Sequence, residues 1–234
     1  MYTLPDIVTP SKTDSQGNMK LFSALQLMQD CSVFSFSQPS PFLDWLQANN
    51  ATPLVSFRLV DVVRVPKLGE KLTCRTFVFD AMGSFGHRNT AVYDEAGNPC
   101  YLSWCIGAFV NVETGRLCRM PQEVRDAASF PPQLEMNYLS RKILPPEATE
   151  TVLPCIPVQR NDIDYNLHVN NAQYIRMAVE CLPPDFEPRT LRVDYKKPVL
   201  PGAVIEPSLR LAGDVAYICL KVDGIPCCVV EFTR

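Results

Sequence analysis

Apolar side chains recur along this chain with two periods, and the two periods follow one another in the same order twice. Leu21, Phe22, Leu25, Met28 and Cys31 keep the three- and four-residue spacing that lines one side of a helix. Ala172, Ile175, Ala178, Val179 and Leu182 repeat that spacing in the second half. There Asn170 or Asn171 supplies a side-chain cap and Pro183-Pro184 ends the helix. After each helix come short apolar runs that predict strands, over 54–65, 71–80, 89–93 and 100–112 and then over 190–197, 204–211, 216–222 and 227–232. Lys67-Leu68-Gly69-Glu70, Ala81-Met82-Gly83-Ser84 and Asp94-Glu95-Ala96-Gly97-Asn98 punctuate the first set as turns, and Asp214 and Asp223-Gly224 the second.

The two halves superpose as a diverged repeat. A shift of 150 positions lays Asp14-Ser15-Gln16-Gly17-Asn18-Met19 on Asp164-Tyr165-Asn166-Leu167-His168-Val169, and carries Leu25 to Ile175, Asp30 to Glu180 and Cys31 to Cys181. Pro201-Gly202 looks equivalent to Leu68-Gly69. Each half is thus one helix packed on about four antiparallel strands, an α+β arrangement. The expected division is a unit over 1–120, a proline-rich linker over 121–150 and a unit over 151–234.

Composition removes several classes of function. The net charge is −3 with no long run of one sign, which argues against a nucleic-acid partner. No apolar stretch approaches the roughly 20 residues a membrane span needs. The first residues carry no secretory or transit pattern, so the cytosol is the expected compartment. Ten cysteines are present without a C-x-x-C pair, and the reading is of small buried hydrophobes, with no metal site and no cofactor. No G-x-S-x-G elbow and no phosphate-binding glycine loop occurs.

One segment concentrates candidate chemistry. Around Asp164, Asn166 and His168 an acid, an amide and an imidazole alternate just ahead of a helix N-terminus. If the stretch is extended, all three side chains point one way. His168 or Asp164 could then take a proton from water, and Asn166 with a backbone N–H could hold an oxyanion. The same composition also suits a loop that merely caps the helix, and composition does not separate the two. His87, the only other histidine, reads first as a solvated turn residue and second as a residue lining a pocket mouth, and Cys31 and Cys181 read as packing residues.

Asp162-Ile163-Asp164-Tyr165-Asn166-Leu167-His168-Val169-Asn170-Asn171, followed by Tyr174-Ile175 and Glu180, resembles the signature of the acyl-acyl-carrier-protein thioesterases of plant plastids and their bacterial relatives. The likeness continues through Asp14, Gly17, Arg64-Val65-Pro66-Lys67-Leu68-Gly69-Glu70, Phe85-Gly86-His87-Arg88-Asn89 and Asp194-Tyr195-Lys196-Lys197. It implies a tandem hot-dog fold, each sheet wrapped around its own helix, with the acyl chain in the N-terminal unit and catalysis in the C-terminal one. It also implies that Asp164, Asn166 and His168 are catalytic, and that the reaction frees a fatty acid from acyl carrier protein to terminate chain synthesis. In one place the chain departs from the family: where plant members carry a catalytic Glu and then a Cys, Pro198 and Val199 stand. An acyl-coenzyme A thioesterase and a catalytically weak acyl-binding or sensing protein are the alternatives. The carrier protein is acidic and so is this chain, so docking calls for a local basic patch, with Arg160, Arg176, Lys196 and Lys197 as candidates. The sequence leaves a homodimer open.

Overall fold

Tyr2–Ile7 precedes the first helix and carries none of the expected elements, yet it is a strand, β1. It pairs antiparallel with Lys71–Met82 (β3), from Tyr2 opposite Thr76 to Ile7 opposite Lys71. Pro5 lacks an N–H to give to a second neighbour, and β1 is accordingly an edge strand. The computed structural model describes residues 1–234, which fall into two compact units, 1–58 with 63–138 and 59–62 with 139–234.

In the first unit α1 (Leu21–Phe34) packs against β1, β3 and β4 (Phe85–Asp94). Its inward face is Ala24, Leu25, Leu27, Met28 and Cys31, all buried. The sheet order is β1-β3-β4-β5-β2, with β2 at Ala51–Val62 and β5 at Pro99–Asn111. β4 begins four residues earlier than its apolar run suggested, which moves His87 out of a turn and into a strand.

A second helix, α2 (Pro41–Ala48), is capped by Ser40, whose Oγ accepts the Leu43 N–H at 3.1 Å. Phe42, Trp45 and Leu46 bury it against Phe109, Ala81 and Met120. Phe42 and Trp45 each lie 5.4 Å from the Phe109 ring.

The segment 121–150 is not a free connector. Gln122–Ala127 forms α3, and the chain to Tyr138 stays with the first unit. Asn89, fully buried on β4, fastens it. Its Oδ1 accepts the Leu134 N–H and the Tyr138 hydroxyl, both at 3.0 Å, while its Nδ2 donates to Ser103 O at 3.1 Å. From residue 139 the chain belongs to the second unit, where Glu150 pairs with Arg210 and Lys221.

The second unit has the sheet order β8-β11-β10-β9-β6, namely Thr190–Tyr195, Ile225–Thr233, Val215–Val222, Val204–Ala212 and Thr151–Val152. The short β7 (Ile156–Pro157) also pairs with β9. Helix α4 (Asn171–Val179) packs on β11. It stops short of the expected Leu182, because Cys181 and Leu182 donate to carbonyls three residues back and Pro183 disfavours a helical residue before it. Asn170 is its cap, accepting the Ala172 N–H at 2.9 Å.

Candidate active site

Residues 164–168 are not extended. The loop folds back on itself, with the Asp164 N–H donating to His168 O at 3.0 Å, the Leu167 N–H donating to Asp164 O at 2.9 Å, and an isolated bridge between Ile163 and Val169 closing its base. The alternating arrangement that an extended strand would give is therefore replaced by a turn. Asp164 builds that turn: its Oδ1 accepts the Asn166 N–H at 2.8 Å and its Oδ2 the Asn170 amide at 3.3 Å. Leu167 carries φ of 66°, a left-handed conformation in which a side chain with a Cβ is strained.

The turn presents Asn166, exposed, and His168, half-buried. Neither the Asn166 amide nor the His168 ring makes a hydrogen bond within the protein, so both are available to a substrate. Asp164 has both carboxylate oxygens committed to the loop. Of the three predicted residues, two display free polar groups and the third holds them in place.

Main-chain bonds and two side chains fix the loop from behind. The Val169 N–H donates to Val199 O at 2.9 Å, and the Val199 N–H donates to the Tyr174 hydroxyl at 3.1 Å. Tyr174, on α4, is buried, which pushes its phenol pKa up. Below the loop Asp162 is buried in a reciprocal capping box with Gln159, and its carboxylate takes Arg176 Nη2 at 2.9 Å. Outside the family likeness, the sequence marks Tyr174 and Asp162 only weakly as site residues. A hydroxyl inside an apolar helix face, and an acid three residues after Gln159, were the available signals.

Beside Val199 lies an apolar cavity of about 280 Å³, lined by Lys197, Pro198, Leu200, Ile225 and Cys227 among others. Val199 is buried at the position where the family resemblance implies a Cys, and Pro198, where it implies a Glu, offers no carboxylate. Two other thiols of this unit do not substitute. Burial pushes Cys227 and Cys181 up to about 11, so both are protonated at neutral pH, donating to Leu220 O at 3.2 Å and Met177 O at 3.3 Å.

The four candidate docking cations divide. Arg176 is held by Asp162 and by Gln173 Oε1 at 2.6 Å, and Lys196 is paired with Asp194 at 2.5 Å. Arg160 and Lys197 are exposed and form no ion pair. His87 lies in the other unit: its Nδ1 accepts from Trp104 Nε1 at 3.2 Å, and burial lowers its pKa against the opposing pull of Asp80. No cluster of three His, Cys, Asp or Glu side chains is placed to hold a metal ion, and no helix is long and apolar enough to cross a membrane.

Comparison with known proteins places this geometry in context. The family model for the acyl-ACP thioesterase N-terminal domain matches residues 7–128, and that for the C-terminal domain matches residues 147–218. The chain is 26% identical over 157 residues to the palmitoyl-acyl carrier protein thioesterase of Cuphea hookeriana chloroplasts, covering 63% of this chain and 38% of the relative. It therefore spans well under half the length of that plant protein. Among solved structures it is similar to an acyl-ACP thioesterase of Bacteroides thetaiotaomicron (TM-score 0.87, 18% identity, 99% of this chain and 96% of the other). It is similar also to the 12:0-ACP thioesterase of Umbellularia californica (TM-score 0.81, 16% identity, 99% and 96%). The fold is the tandem hot-dog that the family resemblance implied, in agreement with the repeat.

Proposed function

Because the chain belongs to the acyl-acyl-carrier-protein thioesterase family, we propose that it hydrolyses fatty acyl thioesters carried on acyl carrier protein, terminating chain synthesis by release of the free fatty acid. The observation that supports this most directly is the Asp164-locked turn, which offers the Asn166 amide and the His168 imidazole with no protein partner of their own. In this reading a water attacks the thioester carbonyl while His168 accepts its proton. The Asn166 amide donates to the oxyanion that forms. Collapse of the tetrahedral intermediate breaks the C–S bond, and His168 returns the proton to the leaving thiolate. The reaction yields a carboxylic acid and the free thiol of the carrier. Asp164 acts as a positioning residue, and no cysteine takes part.

Docking falls to Arg160 and Lys197, the two candidate cations without an internal partner. An acidic carrier protein approaching a chain of net charge −3 needs such local attraction.

The test is to incubate the protein with acyl carrier protein and coenzyme A thioesters of the same acyl chain and measure free fatty acid. Faster release from the carrier protein is expected. Arg160→Glu with Lys197→Glu should raise the Michaelis constant for that substrate alone and flatten its salt dependence. Faster release from coenzyme A would make the protein an acyl-coenzyme A thioesterase. Binding without release from either would favour an acyl-binding role, which Pro198 and the buried Val199 also suit.

A further inference from the structure

The first unit holds two arginines that form no ion pair, although Arg88 and Asp30 both act on Cys31, and Arg58 and Asp6 both act on Cys74. Arg58, on β2, is only 4% exposed. Its Nη1 touches Met28 Sδ of α1 at 3.8 Å, and it forms no ion pair. Arg88, on β4, reaches the end of the same helix, where its Nη1 donates to Ser35 Oγ at 2.8 Å and to Thr76 Oγ1 at 3.0 Å. The titratable groups that act on Arg88 are Cys105, Cys31 and Arg58, with no carboxylate among them. Burial first, and the like charge of Arg58 as well, push the Arg88 guanidinium down to about 10.

A guanidinium carries five N–H donors in a planar fork. In both residues Nε and Nη2 meet no protein acceptor. The Phe36 ring, 4.9 Å from the Arg88 guanidinium carbon, and the carbonyl end of α1 partly compensate Arg88. Neither compensates Arg58. A buried cation without a counter-charge is among the costlier features a fold can retain, and two side by side repel each other as well.

We propose that Arg58 and Arg88 together bind the carboxylate of an aliphatic acid between α1 and the sheet of the first unit. The fork geometry matches a carboxylate or a phosphate. The surroundings decide between them: beside the Ser35 and Thr76 hydroxyls stand Met28, Phe36, Cys31 and Cys105, apolar or soft groups that suit a single charge on a hydrocarbon body better than a strongly hydrated dianion. The site stands on the arginines themselves, and only the choice of ligand rests on the thioesterase reading. The carboxylate comes either from the released fatty acid or from the far end of an acyl chain that carries one.

The experiment needs no turnover. Dodecanoate is titrated into the whole protein, with methyl dodecanoate as the uncharged control, and binding is followed by melting temperature and tryptophan fluorescence. Dodecanoate should raise the melting temperature and the ester should leave it nearly unchanged. Arg58→Met and Arg88→Met should each weaken dodecanoate binding about tenfold or more. Without ligand, Arg58→Met should melt at or above the wild-type temperature, since an unpaired buried charge has gone. Arg58→Lys, which keeps the charge and loses the fork, gives the same comparison if the Met variant does not fold. Equal binding of acid and ester, or variants that bind dodecanoate as the wild type does, would overturn the proposal whether or not the protein is a thioesterase. Two kinetic arms identify the source. Arg58→Met lowers turnover of an ω-carboxyacyl thioester selectively if the site reads the chain end, and relieves inhibition by added dodecanoate if it reads the product.

Discussion

In both units a single 3-10 turn, at Pro10–Lys12 and at Arg160–Asp162, leads into a tight loop organised by an aspartate. The Asp14 N–H donates to Asn18 O at 2.9 Å, as Asp164 does to His168 O at 3.0 Å. Gly17 and Leu167 take the same left-handed conformation, with φ of 80° and 66°. The Met19 N–H donates to Pro66 O at 2.7 Å, as the Val169 N–H does to Val199 O at 2.9 Å. Lys20 and Asn170 then enter their helices with φ of −60° in each case. The frame is the same and its contents differ. In the first loop Asn18 turns its side chain back on Asp14 and glycine relieves the left-handed position. In the second, the histidine in that place keeps its ring free, and a strained leucine replaces the glycine. An aspartate common to both loops is therefore scaffold, and the residues that distinguish the loops are those proposed to carry the chemistry.

The largest test of that contrast is kinetic. His168→Ala and Asn166→Ala should each lower turnover by about 10²–10³, with circular dichroism unchanged. Asn18→Ala and Gln16→Ala, at the matching positions, should leave turnover within about twofold. Comparable losses from both loops would mean that the first is also a site. Next in size is stability: Arg176→Ala leaves the buried Asp162 carboxylate without its cation and should cost about 1–3 kcal/mol in urea denaturation. Gln26, at the corresponding place on α1, has no such partner, and Gln26→Ala should be nearly neutral. Smaller again is Leu167→Gly, which should raise stability by up to about 1 kcal/mol by relieving the left-handed residue, while Gly17→Leu should lower it.

The smallest effect is in pH. At Asp14 slight burial opposes, and the Asn18 and Gln16 N–H bonds outweigh it, so the carboxyl is held below its usual 3.8. The folded state then binds this proton less readily than the unfolded chain. The stability it contributes is present above about pH 4 and is lost as pH falls through the folded value. Asp14→Asn should therefore narrow its stability gap to the wild type between pH 6 and pH 3, measured by denaturation midpoint.

Much of this was legible from residue order. The 150-position shift places both 3-10 turns and both helix starts at corresponding residues. Gly69 and Gly202 share a left-handed conformation in the turn whose neighbours hold each loop. What escaped had specific causes. β1 was hidden by Pro5, which an edge strand tolerates. The N-terminus of α2 was marked by Ser40-Pro41, a cap followed by a first-turn proline, but its short apolar face did not stand out. Gly86 suggested a turn; it serves instead to admit the Phe109 ring, whose nearest atom would lie 3.0 Å from any added Cβ. The turn at 164–168 was obscured because leucine, not glycine, holds the left-handed position. The Asn89 anchor joins residues 45 and 49 positions apart, a separation no periodicity reports.

Val199 holds the loop entirely through its main chain, giving its N–H to Tyr174 and its carbonyl to Val169. Its side chain is thus a replaceable insert in a fixed bracket. A different side chain can stand at that position without moving the histidine next door, so a reactive group can be placed there while the loop stays still. Val199→Cys would place a thiol there in one step, with the surrounding bonds already made.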